Sequence, residues 1–161
     1  MYKYKFKGGD SMILFVCTGN TCRSPMARAL LQSKISKLGV DVEIESCGIY
    51  VNEQHPTFGA INAMKEYGLN INNHKPKQIS ENIVQKASII LTMTNFHKKT
   101  LLDLLPFATS KVYTIYEYVE NKNKDVIDPY GGEDAVYLQT AKELEYLINK
   151  IQISQKKYPQ K

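Results

Sequence analysis

The residues with the clearest chemical promise are Cys17-Thr18-Gly19-Asn20-Thr21-Cys22-Arg23-Ser24-Pro25. A thiol and a guanidinium bracket a short polar loop. Arginine presents a planar fork that grips two phosphate oxygens at once. A thiolate facing a phosphate held that way is placed for in-line attack. The choice of Arg is itself informative. Of 21 basic residues, 19 are Lys and two are Arg, Arg23 and Arg28, five positions apart. Arg28, one turn further on, reads as a solvated side chain.

Such a loop works only if a strand and a helix hold it. Met12–Val16 is a continuous apolar run, as expected of a buried parallel strand. Ser24-Pro25 reads as a helix N-cap and first helical residue. Met26, Ala27, Leu30, Leu31, Ile35 and Leu38 follow at helical spacing, and Gly39 supplies the stop. A helix N-terminus concentrates unpaired N–H groups and partial positive charge, so the loop binds anions. Gly19 and Asn20 tolerate left-handed backbone, which lets the loop curl its amides inward. Arg23 and the helix N-terminus are expected to lower the Cys17 pKa, with Ser24 donating a hydrogen bond to the sulfur. The plain alternative is a buried cysteine ending a strand. Cys-x5-Arg alone would not displace it; Cys-x5-Arg-Ser between strand and helix, in an Arg-poor chain, does.

The rest of the chain continues the alternation. Val40, Val42 and Ile44 alternate with acids as a second strand. Pro56 opens a helix with Phe58, Ile61, Met64 and Tyr67 on one face and Gly68 ending it. Ser88–Met93 is a third strand, with a helix from about Asn95 to Leu105. Lys111–Tyr118 is a fourth strand, and 119–132 a polar loop. A closing helix from Glu133 to about Ile153 turns Ala135, Leu138, Ala141, Leu144, Ile148 and Ile151 inward. Alternating strands and helices imply βαβ units and a parallel sheet covered on both faces, with the site at the carboxyl ends of the strands. A thiolate nucleophile also needs a general acid. Asp128, in Asp128-Pro129-Tyr130-Gly131-Gly132, is the candidate, although locally that stretch is only a turn-and-cap signal.

Together, the Cys-Thr-Gly-Asn-Thr-Cys-Arg-Ser-Pro and Asp-Pro-Tyr-Gly motifs resemble the low-molecular-weight protein tyrosine phosphatase family over about residues 12–153. The resemblance implies an α/β, flavodoxin-like three-layer sandwich with a four-stranded parallel sheet. It implies that Cys17 forms a phosphocysteine intermediate. Arg23 and the loop Thr18, Gly19, Asn20, Thr21, Cys22 and Ser24 would bind the phosphoryl group. Asp128 would protonate the leaving group and then activate water, and Tyr130 would wall the cleft. Ser46 and His74 match the family's loop-supporting residues by position. No metal or other cofactor is implied: His55, His74 and His97 are far apart in sequence, and the three cysteines lack a zinc spacing.

Thr21 stands where many tyrosine-specific members carry a branched aliphatic residue. Thr at this place resembles the family's bacterial protein-arginine phosphatases. A hydroxyl can bond a guanidinium or a positioned water, and Thr gives up contact with a phenyl ring. Phosphoarginine is therefore expected ahead of phosphotyrosine, the alternative in which Thr21 acts as a near-isostere of Val. Cys22 has two open readings, a reversible disulfide partner for Cys17 or a small residue filling the loop. Cys47 reads as core. An arsenate reductase would need two further cysteines downstream; none follows Cys47, and Met93 and Thr94 lie where one is expected.

The formal net charge of +5 tempts one toward a nucleic-acid binder. Located along the chain, residues 1–11 carry +2, residues 155–161 carry +3, and 12–154 is neutral. The expected organisation is an extension over 1–11, not native or disordered with Met12 the natural start, one phosphatase domain over 12–154, and a basic tail over 155–161. Three cysteines, no signal peptide and no apolar run near the roughly 20 residues of a membrane span give a cytoplasmic expectation. The partners expected are a phosphorylated protein and the product phosphate, with no nucleic acid or membrane, in a monomer or weak dimer.

Overall fold

The computed structural model describes residues 6–7 and 11–154. Strand β1 (Phe6–Lys7) precedes β2 (Met12–Cys17), helix α1 (Arg23–Leu38) and β3 (Glu43–Gly48). Helices α2 (Phe58–Glu66) and α3 (Glu81–Lys86) lead to β4 (Ile89–Thr92) and α4 (Asn95–Leu104). Strand β5 (Val112–Thr114), α5 (Ile115–Glu120), α6 (Asp134–Asn149) and β6 (Ile153–Ser154) complete the order. The main sheet is parallel throughout, in the order β3-β2-β4-β5. From β2 the chain moves first to one side and then to the other, so the loop after β2 stands at the point where strand order reverses. That crevice is where open α/β sheets bind ligands.

Pleating divides the core. Ile13, Phe15 and Cys17 face the layer of α1, α2 and α6, in contact with Met26, Leu31, Met64, Leu144 and Ile148. Met12, Leu14 and Val16 face α3 and α4, in contact with Val84, Ile90, Leu101 and Val112. All six β2 residues are buried. The expected three-layer α/β sandwich is therefore present.

Several boundaries differ from expectation, each for a local reason. The helix after the loop begins at Arg23 with Cys22 in the cap position; Ser24 is inside the first turn, its hydroxyl engaged elsewhere. Leu38, near the helix end, is 48% exposed. The second strand runs from Glu43 to Gly48 because it pairs residue for residue with Met12–Cys17. Phe58 is 84% exposed, since Thr57 caps α2 and places Phe58 on its outer face. The expected fourth strand stops at Thr114, where Thr114 and Glu117 close a reciprocal capping box that turns the chain into α5. Helix α3, capped by Ser80, was not anticipated. In α6 the inward residues include Tyr137 and Leu147, while Ala135 is exposed and Leu138 half-buried. Of the extension expected over 1–11, Phe6–Lys7 pairs in parallel with Ile153–Ser154. Residues 1–5, 8–10 and 155–161 lie outside the described residues.

Candidate active site

Cys17 ends β2 and Arg23 begins α1, so the loop between them closes over the carboxyl end of the sheet. Asn20 is its hub. Its backbone sits in the left-handed region at φ 56°, which Asn tolerates better than most residues. Its Nδ2 donates to Ser24 Oγ (2.7 Å) and Ser46 Oγ (2.9 Å). Its Oδ1 accepts from Lys77 N–H (2.9 Å), and its carbonyl accepts from His74 Nε2 (2.8 Å). Asn20, Ser24 and the two distant residues Ser46 and His74 are thus brought into one network, buried at Asn20, Ser24 and Ser46 and half-buried at His74. The carbonyl can only accept, so His74 Nε2 carries a proton; burial holds the ring pKa below its ordinary value.

Gly48 explains how β3 comes so close. A Cβ there would sit 2.5 Å from the Thr18 carbonyl and 2.8 Å from Val51 Cγ2. Its absence lets Ile49 N–H reach the Cys17 carbonyl (2.9 Å) and Tyr50 N–H the Thr18 carbonyl (2.8 Å).

Cys17 is 3% exposed, with Ser24 Oγ 2.8 Å from its sulfur. Burial pushes the thiol up, against the Ser24 hydroxyl, the Ser24 and Asn20 amides and the Arg23 charge, which favour the thiolate. Net lowering, the sequence expectation, is not what this packing produces; the loop's donors oppose a larger desolvation cost.

Arg23 is buried. Its Nη1 donates to the Val126 carbonyl (3.1 Å), and its Nη2 lies 3.5 Å from Asp128 Oδ2. The loop carrying Asp128 is anchored to the same sheet end. Val126 is 1% exposed, and its N–H donates to the Met93 carbonyl (2.9 Å). Asp125 accepts from Asn95 N–H at the start of α4 (2.8 Å). Asp128 itself is exposed and accepts from Tyr130 N–H (3.1 Å). Cys17, Thr18, Gly19, Thr21, Cys22, Arg23, Asp128 and Tyr130 line one cleft of about 230 Å³. Tyr50, Asn52 and Glu53 complete its wall. The three cysteines are free. Cys22 lies in the same loop, its sulfur 3.3 Å from Thr57 Oγ1 and 3.6 Å from Tyr137 Oη.

This site belongs to a family. A family model described as low molecular weight phosphotyrosine protein phosphatase matches residues 12–160. The chain belongs to that family. A protein-arginine-phosphatase of Bacillus subtilis (strain 168) is 38% identical over 140 residues, 86% of this chain and 93% of the relative. The low molecular weight protein-tyrosine-phosphatase PtpB of Staphylococcus aureus is 39% identical over 140 residues, 86% of this chain and 95% of the relative. Among solved structures, the arginine phosphatase YwlE, in a mutant with a phosphorylated active site serine, superposes with a TM-score of 0.84. It is 37% identical and covers 86% of this chain and 91% of that one. The flavodoxin-like fold and the cysteine-phosphatase chemistry expected from the motifs are those of this low molecular weight phosphatase family.

Two residues in and around the phosphatase cleft escaped the sequence reading. His97, 2% exposed on α4, is 2.8 Å from Thr18 Oγ1 through Nε2 and 3.0 Å from Thr94 Oγ1 through Nδ1. Burial and the Arg23 charge push its pKa down to about 4, Asp128 and Asp125 pulling the other way. A neutral ring therefore ties α4 to the loop. Glu53 reaches the cleft from the segment between β3 and α2. Arg28, expected to be solvated, donates from Nε to the Ile44 carbonyl (2.9 Å), with Nη2 3.8 Å from Glu45. It stitches α1 to β3.

Proposed function

We propose that this phosphatase removes phosphoryl groups from phosphorylated protein side chains in the cytoplasm, phosphoarginine ahead of phosphotyrosine. The observation that carries the reading is the convergence of Cys17, Arg23 and Asp128 on one cleft whose floor is the Asn20-centred loop. Arg23 and the loop amides hold the phosphoryl oxygens. The Cys17 thiol passes its proton to an oxygen of the bound phosphoryl group and attacks phosphorus as the thiolate, forming an S–P bond as the P–N bond of phosphoarginine, or the P–O bond of phosphotyrosine, breaks. The leaving atom takes the departing electron pair and a proton from Asp128. Asp128, now a carboxylate, removes a proton from water as that water attacks phosphorus. Cys17 leaves as a thiolate, steadied by the Ser24 hydroxyl, and phosphate departs.

Thr21 in the cleft lining supports the arginine preference through its hydroxyl, as does a relative named protein-arginine-phosphatase. Tyr50 and Tyr130, 68% and 63% exposed at the rim, fit both readings, since an aromatic wall suits a phenyl ring and a stacked guanidinium alike. Residues 12–154 are the catalytic domain in this reading. It works without metal or other cofactor, as a monomer or weak dimer, and has no nucleic-acid or membrane partner. Among the described residues, no helix is long and apolar enough to cross a membrane. When a peroxide oxidises Cys17 to a sulfenic acid, the Cys22 thiol serves as the partner that displaces water to form a reversible, protective disulfide.

The test is parallel kinetics on matched phosphoarginyl and phosphotyrosyl peptides, with Cys17→Ser and Asp128→Asn. Wild type is expected to favour phosphoarginine. Cys17→Ser abolishes turnover, and Asp128→Asn lowers kcat by roughly 10²–10⁴-fold, the span of general acid catalysis. Substantial turnover in Cys17→Ser sinks the mechanism, and a preference for phosphotyrosine sinks the substrate assignment.

A further inference from the structure

The cleft contains an electrostatic contradiction. Its floor is built for an anion, yet its wall holds two carboxylates, Asp128 and Glu53. Asp128 has work to do as an acid and is partnered by Arg23. Glu53 is exposed at the rim. Among the described residues its carboxylate has no hydrogen-bond or ion-pair partner. For a phosphotyrosyl substrate, an unpaired carboxylate there only repels the incoming phosphoryl group. Nothing in the fold requires it, since an exposed loop tolerates any polar residue.

A phosphorylated guanidino group removes the contradiction. It carries its positive charge directly beside the phosphoryl group. With the phosphoryl group on the loop, the guanidinium stands at mid-cleft, between the floor and the rim. Its planar fork matches a carboxylate, and its faces meet the two tyrosine walls, Tyr50 and Tyr130.

We propose that Glu53 is a specificity-determining residue whose carboxylate pairs with the guanidinium of phosphoarginine bound in this cleft. The assignment rests on the phosphoarginine reading above and adds a residue to it. Because Glu53 sits on an exposed loop, its replacement leaves the fold intact, which circular dichroism verifies.

The experiment measures kcat/KM of wild type, Glu53→Gln and Glu53→Lys on phosphoarginyl and phosphotyrosyl peptides of identical, uncharged flanks. Glu53→Gln is expected to lower kcat/KM on phosphoarginine about five- to tenfold, chiefly through KM, the scale of a lost charge-assisted pair at a partly exposed site. The phosphotyrosyl value is expected to rise, and Glu53→Lys to exaggerate both changes. Added salt narrows the gap between wild type and Glu53→Gln on phosphoarginine. Equal losses on both substrates, or a phosphoarginine value within twofold of wild type, overturn the role of Glu53 while leaving the substrate reading in place. A wild type that prefers the phosphotyrosyl peptide overturns the substrate reading, and the role of Glu53 with it.

Discussion

At the scale of single residues, His97 shows how much a buried neutral ring contributes. Its two ring nitrogens bond Thr18 and Thr94, and it sits near Arg23, so protonating it would bury an unwanted second cation. The folded pKa of about 4 lies below the ordinary value near 6.5. The unfolded chain therefore binds this proton at higher pH than the folded one does. Stability from His97 is fully present above about pH 6.5 and is lost as pH falls toward 4, with an upper limit of about 3 kcal/mol. Denaturant unfolding from pH 7.5 to 4 is expected to show a flatter fall for His97→Asn than for wild type. Parallel curves for the two proteins would refute this assignment. As candidates, Cys17 and Arg23 were legible in the sequence because both lie in one dense local motif; Asp128 was legible only through the resemblance of its Asp-Pro-Tyr-Gly stretch to the family. His97 was not, because Thr18 is 79 positions away and a histidine on a short helix carries no mark of its partner. Glu53 was hidden for the same reason, as one acid in a polar segment.

At the scale of elements, the site depends on how closely β3 approaches the loop between Cys17 and Arg23. Gly48→Ala places a methyl group 2.5 Å from the Thr18 backbone oxygen. Neither strand end nor loop can yield cheaply, so the loop shifts. A cost of about 1–3 kcal/mol in stability is expected from the overpacking. Activity suffers more, since displacing reacting groups by about 1 Å costs on the order of 10²-fold. Thermal unfolding and kcat on a phosphorylated peptide read the two effects separately; a variant with wild-type kcat would show that the contact is not needed. The apolar run of β2 announced its strand because both faces are buried. Lys111–Tyr118 deceived, because a β-branched and aromatic run there continues from a strand into a helix. The Thr114-x-x-Glu117 pair was the readable signal of that switch. Helix α3 spans under two turns, too short for a periodic pattern.

At the scale of the whole molecule, the basic charge divides into two terminal segments around a neutral body, and the cleft relies on local rather than global field. Fold class was legible because every βαβ repeat restates it. What stayed unreadable was which distant loops meet at the sheet's carboxyl edge, a property of topology and not of any window of sequence. Asn20 is where they meet, and every polar atom of its side chain is engaged. The loop proposed to hold a substrate's phosphoryl group is expected to hold the product phosphate as well. Inorganic phosphate should then stabilise the native chain by about 2.7 kcal/mol at one hundred times its dissociation constant, a rise of several degrees in Tm. Chloride at matched ionic strength should give no such rise, and Asn20→Ala should lose most of it. An unchanged Tm in phosphate would overturn this expectation. Phosphate bound there is expected to compete with substrate, so that turnover measured against added phosphate falls and the reaction is slowed by the substance it releases.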